Sequence, residues 1–179
     1  MIKKDLPIHV STLQKIIDGN YIYIDKTRYI YNLFQGISHH YFLSRPRRFG
    51  KSLLVLTLQE LFAGNKKLFE KLWIGSSDYD WQEYPVISLD FSIIPHLMAQ
   101  ELRTSLNNEL KLIAAQYNIV INEDIPEESL KALVREVSMK NRVVILIDEY
   151  DKPILDHIKN REQADAQREI LKSFYDAIK

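Results

Sequence analysis

The stretch Tyr41-Phe42-Leu43-Ser44-Arg45-Pro46-Arg47-Arg48-Phe49-Gly50-Lys51-Ser52, running straight on into Leu53-Leu54-Val55-Leu56, leaves a chain few folds to adopt. An apolar run, a basic turn and then apolar residues at helical spacing predict a short strand over 41–43, a loop, and a helix that starts at Lys51. Each residue type at the junction has a chemical use. Gly50 lets the backbone approach a phosphate, the unpaired amides of a helix start receive an anion, Lys51 reaches the terminal phosphates, and the Ser52 hydroxyl can ligate magnesium.

The pattern is that of a P-loop, with one departure. The loop consensus places a glycine seven residues ahead of the serine, and this chain has Arg45 there, followed by Pro46. A second run supports the reading. Val143-Val144-Ile145-Leu146-Ile147 is aliphatic throughout and ends in Asp148-Glu149, as a strand does that is buried as far as its tip. An aspartate at the carboxyl end of a buried parallel strand can hold the magnesium that bridges nucleotide phosphates, and an adjacent glutamate can polarise the attacking water. Asp148 is therefore expected as a metal ligand with Ser52, and Glu149 as the catalytic residue. Two other readings stay open. In the first, a surface turn and a core strand tipped by solvated acids have no joint role. In the second, Arg45, Arg47, Arg48 and Lys51 contact nucleic-acid phosphates without hydrolysing anything.

Charge speaks against that last reading. The 24 basic residues are cancelled by 24 acidic ones, so no global field draws in a polyanion. With 179 residues the chain suits one domain that buries about 70% of its unfolded surface. It has no cysteine, which rules out a disulfide framework and a thiolate metal site. The N-terminus lacks the apolar core of a signal peptide, and no segment approaches the roughly 20 apolar residues of a membrane span. The expectation is a cytoplasmic protein without a membrane partner.

Along the chain, Ser11 reads as the cap of a helix carrying Leu13, Ile16 and Ile17 and ending at Gly19. Asp25 reads as the cap of a second, with Tyr29, Ile30, Leu33 and Phe34 before Gly36. Alternatively, Asp25-Lys26-Thr27 borders the nucleotide. His39 and His40 lead into the loop strand and make a poor metal pair. The helix from Lys51 carries Leu54, Leu58, Leu61 and Phe62 and stops at Gly64. A short helix is expected within 66–74 and a connection over 75–84, followed by a strand over Pro85–Phe91. Long helices are predicted over 94–117 and 127–139, and a terminal one over 161–179. Strands thus alternate with helices, which is the mark of an α/β protein. A strand between the two motifs, with glutamate beside the magnesium aspartate, is the arrangement of the P-loop branch that includes the AAA-type ATPases.

Four phrases carry a closer resemblance: Tyr23-Ile24-Asp25-Lys26-Thr27, Ser44 to Ser52 with its Arg-Pro-Arg-Arg-Phe lead, Pro85-Val86-Ile87, and Leu146-Ile147-Asp148-Glu149-Tyr150-Asp151-Lys152-Pro153. Together they closely resemble the uncharacterised bacterial AAA-ATPase-like family, over nearly the whole chain. The resemblance implies a three-layer α/β/α P-loop fold with a parallel sheet. It implies ATP held at Arg45, Pro46, Arg47, Arg48, Phe49, Gly50, Lys51 and Ser52, with Mg2+ at Ser52 and Asp148. Residues 1–40 are then a helical lead-in and 41–179 the ATPase core. Family members commonly continue into further strands, a nucleotide lid and a domain similar to PD-(D/E)XK nucleases. The expectation is accordingly a truncated core whose sheet lacks its later strands, acting as a switch for an effector domain.

Overall fold

The computed structural model describes residues 4–8, 10–36, 40–44, 46 and 49–178. The chain divides into two units, Met1–Tyr84 and Pro85–Lys179, each with an apolar core of its own. The position 40/41 lies inside the first.

The described residues of the first unit are helical wherever they are regular. Helices α1 (Leu13–Asp18), α2 (Thr27–Phe34), α3 (Lys51–Phe62) and α4 (Lys66–Phe69) precede a 3₁₀ turn at Trp73–Ser76. The cap of α1 is Thr12, not the expected Ser11. The helix begins at Leu13, so the oxygen within reach of the Lys15 amide is that of Thr12, at 3.3 Å. Gly19 ends α1 with an ordinary negative φ, and the left-handed residue is Asn20. Position 19 is crowded, because a Cβ there would sit 2.3 Å from the Tyr21 ring, which would have to shift. The core gathers Leu13, Ile30, Leu61, Leu68, Phe69, Leu72 and Ile74. Tyr31 and Phe34 of α2 pack on it, whereas Tyr29, expected at the core or its rim, is exposed.

The strand expected over 41–43 does not form, and Tyr41–Ser44 are irregular and exposed. A strand exists only through pairing, and no strand occurs among the described residues of this unit. Tyr41 instead turns back on α2, its hydroxyl donating to the Leu33 carbonyl at 2.8 Å and its ring meeting Phe34 edge-on.

The second unit holds two parallel strands, β1 (Val86–Asp90) and β2 (Val144–Asp148), in register from Val86 opposite Val144 to Asp90 opposite Asp148. Between and after them lie α5 (Ala99–Gln116), α6 (Pro126–Ser138), α7 (Lys152–Leu155) and α8 (Arg161–Asp176). Ile87, Leu89 and Phe91 with Ile145 and Ile147 share a core with Leu102, Leu106 and Leu110 of α5, Leu130 and Leu133 of α6, and Ile170, Leu171 and Phe174 of α8. Tyr117, just past α5, accepts the Val86 amide at 2.7 Å and donates to the Val86 carbonyl at 2.8 Å. Helices α5 and α6 are joined by a buried pair, Ser129 donating to Asn107 Oδ1 at 2.5 Å.

Helix α5 starts five residues later than its apolar spacing predicts. Pro95 disfavours helical backbone at Ile94, the chain stays irregular to Met98, and Glu101 reaches back to accept the Leu97 amide at 2.7 Å. Met98, expected in the core stripe, is consequently an exposed cap residue. The α/β class is thus present, with a two-stranded parallel sheet in this unit.

Candidate functional site

The expected site residues fall into two groups, each set by the end of one element. At the start of α3, Gly50 is the cap residue, with φ 74 and ψ 27. This left-handed conformation is one glycine adopts readily. Among the described residues, nothing lies within 4 Å of where a Cβ would stand, so Gly50 faces open space there. No side chain caps the helix, and the first intrahelical bond runs from the Leu54 amide to the Gly50 carbonyl at 3.1 Å. The amides of Lys51, Ser52 and Leu53 therefore have no acceptor within the helix. Phe49 and Ser52 are exposed and Lys51 is half-buried, as is Leu54 behind them on the core. Pro46 is exposed, and Arg45, Arg47 and Arg48 lie outside the described residues.

The second group sits where the parallel strands end. Asp148 is the last residue of β2 and is 8% exposed. Its Oδ1 accepts the amide of Glu149 at 3.0 Å, and its carbonyl accepts the Phe91 amide at 3.1 Å, which continues the ladder past β1. Glu149 has φ 50, and its carbonyl accepts the Lys152 amide at 2.9 Å to close the turn into α7. Tyr175 of α8 donates its hydroxyl to the carbonyl of Tyr150 at 2.9 Å.

Sequence reasoning passed over Asp90. It is the register partner of Asp148, so both carboxylates end parallel strands side by side, and the Asp90 Oδ1 accepts the Ser92 amide at 2.8 Å. The signal was present as two aliphatic runs each ending in aspartate, Leu89-Asp90 and Ile147-Asp148. Among the described residues no three His, Cys, Asp or Glu side chains are grouped as a metal site. That donor set fits Mg2+ held through one or two carboxylates, with water and substrate phosphates completing the shell. It does not resemble an all-protein cage.

Asp25 and Thr27 act as a clamp. Asp25 Oδ1 accepts both the amide and the hydroxyl of Thr27, at 2.8 and 2.7 Å, and its Oδ2 accepts the Trp73 amide at 2.6 Å. The Thr27 hydroxyl in turn accepts the Ile74 amide at 3.1 Å. The cap of α2 is Lys26, without a side-chain cap bond, not the expected Asp25, which stands one residue earlier and ties Thr27 at the helix start to the 3₁₀ turn at Trp73, 48 residues on from Asp25.

Beyond the acid turn, Asp156 lies 2.8 Å from the Lys152 ammonium and 3.1 Å from His96 Nε2. Hydrogen bonds from Lys152 and His96 hold its carboxyl below the usual carboxylate range. His96 Nδ1 faces the Ile94 carbonyl, and the carbonyl of His96 accepts from Gln167 and lies 3.0 Å from His157 Nε2. The loop after β1 is thereby fastened to α7 and α8.

The profile of a family described as predicted AAA-ATPase matches residues 7–179. An uncharacterized protein from the vnfD 5′ region of Azotobacter chroococcum mcd 1 is similar, at 39% identity over 183 residues that cover 100% of this chain and 35% of that protein. The chain thus spans about a third (35%) of the length of the curated relative it matches. No solved structure matches it. No helix among the described residues is long and apolar enough to cross a membrane.

Proposed function

The chain belongs to the predicted AAA-ATPase family, and from that premise we propose that it binds ATP with Mg2+ and hydrolyses it, as a switch for an effector domain in a longer parent. The observation that carries the reading is the start of α3, where Gly50-Lys51-Ser52 combine a left-handed glycine, open space and amides without helical acceptors. Such a helix start receives anions through its amides and its dipole.

In this reading residues 41–179 carry the nucleotide-binding core of a three-layer P-loop fold, and 1–40 lead into it. The amides of Lys51 and Ser52 hold phosphate oxygens, and the Lys51 ammonium reaches the terminal phosphates. Arg45, Arg47 and Arg48 neutralise phosphate charge where the loop consensus has small residues, with Pro46 and Phe49 shaping the turn. The Ser52 hydroxyl and the Asp148 carboxylate hold Mg2+. Bound Mg2+ supplies charge neutralisation across the phosphate oxygens. Glu149 orients the attacking water and accepts its proton.

Binding of a fluorescent ATP analogue tests this. Lys51→Ala is expected to weaken Mg2+-dependent binding at least about tenfold, in line with the loss of one charge-assisted hydrogen bond. Equal affinity in the two proteins would reject the reading. Glu149→Gln is expected to retain binding and lower turnover about a hundredfold, the low end for general-base loss.

A further inference from the structure

We propose that Tyr175 is the positioning residue for Glu149: its hydroxyl fastens the turn that follows β2 to α8, and so sets the rate of hydrolysis while leaving nucleotide affinity alone. The inference rests on the ATPase reading above.

Glu149 departs from ordinary backbone, with φ 50. Left-handed backbone in a residue with a Cβ is unfavourable by about 1 kcal/mol or more, and persists only where the surroundings fix it. Three of the bonds that fix it are local. The Glu149 amide donates to Asp148 Oδ1 at 3.0 Å, the Lys152 amide to the Glu149 carbonyl at 2.9 Å, and the Leu155 amide to the Asp151 carbonyl at 3.0 Å. The first ties the turn to the end of β2, and the other two lie within the turn and α7 and move with them. The bond from Tyr175 to the Tyr150 carbonyl, at 2.9 Å, arrives from 25 residues away on a 16-residue helix whose other face is in the core.

The ring that carries the hydroxyl is itself seated. It meets Phe91 edge-on at 6.2 Å and Phe174 at 5.8 Å between centroids. Phe91 is buried and donates its amide to the Asp148 carbonyl, so one phenol meets the residues just past both strands, Phe91 and Tyr150. The acceptor is a carbonyl, so the bond requires the phenol to keep its proton. Burial, with Asp151 and Tyr150 nearby, pushes the Tyr175 phenol far up, and it remains a donor at every physiological pH.

Tyr175→Phe keeps the ring and removes the hydroxyl alone. The first readout is hydrogen exchange of the amides of residues 149–152, expected to become about tenfold faster while the amides of β1 are unchanged. The second is turnover of Mg2+-ATP, where kcat is expected to fall about tenfold with KM and Kd within twofold of wild type. Lys51→Ala run in parallel moves Kd instead. Unchanged exchange at 149–152 overturns the proposal, as does a KM that rises in step with a falling kcat. Wild-type protein that neither binds nor turns over nucleotide would remove the ATPase reading. The exchange data would then decide the tether by themselves, upholding it if the turn loosens selectively and overturning it if it does not.

Discussion

Gly75 and Gly50 are both glycines for steric reasons, yet substitution at each should read out differently. A Cβ at Gly75 would lie 2.2 Å from the Phe69 carbonyl oxygen and 2.9 Å from the Glu70 Cα, all backbone that cannot swing aside. Gly75→Ala is predicted to destabilise the first unit by about 3 kcal/mol, the upper range for overpacking, seen as a lowered thermal midpoint. Gly50 has open space around it and only its left-handed φ to defend, so Gly50→Ala is expected to lower stability by about 1 kcal/mol. Its larger effect should fall on nucleotide affinity. A third residue reports on burial. Tyr79 is pushed up to about 12 from the usual phenol value, chiefly by burial and then by Tyr84 and Asp80. A raised phenol contributes stability that is whole below about pH 10 and is lost as pH climbs through about 12. Ultraviolet titration should therefore show one fewer late-ionising tyrosine in Tyr79→Phe than in the wild type, with Tyr175 still ionising late.

Among elements, the helices were legible from apolar spacing, joined by a stop signal in α3 with Leu54, Leu58, Leu61 and Gly64, and by itself in α8 with Ile170, Leu171 and Phe174. Both strands of the parallel pair were legible because aliphatic runs bounded by Pro85 and by Asp148 admit little else. What periodicity could not supply was partnership. Tyr41-Phe42-Leu43 has strand composition and is irregular, and Met98 belongs to the helical stripe but sits just outside α5, in the irregular stretch that follows Ile94-Pro95. The acids of the candidate site were found from strand ends, whereas Asp90 as the partner of Asp148 and Tyr175 as the partner of Tyr150 needed the register and the helix docking to be known. The clasp between α7 and the loop after β1 also lies outside sequence reach, and it should respond to acid. Because the Asp156 carboxyl is held below its ordinary value, its contribution is present above about pH 4 and fades as pH falls through the lowered value. Asp156→Asn is expected to remove that part of the acid dependence of the melting temperature. The loss at neutral pH should stay within about 1 kcal/mol, since the carboxylate is 41% exposed.

Across the whole molecule the two units are built from separate cores, one of α1 to α4 and one of β1, β2, α5, α6 and α8. Residues 85–179 contain every member of the second core, so that stretch expressed alone is predicted to fold cooperatively, with helical circular dichroism and a single thermal transition. It lacks Gly50-Lys51-Ser52 and should show no Mg2+-dependent ATP binding, which would divide folding competence from phosphate recognition. A non-cooperative melt would instead mean that the second core needs the first 84 residues. The Tyr117 phenol has a consequence at this scale. By occupying the amide and the carbonyl of Val86 together, it plugs the outer border of the parallel pair at its beginning, where an incoming chain would otherwise dock. The main-chain groups of β2 that turn away from β1 are those of Ile145 and Ile147, since Val144 and Asp148 turn theirs toward β1. A strand added beside β1 would therefore have to pair beyond Val86, whereas one added beside β2 meets no such plug among the described residues.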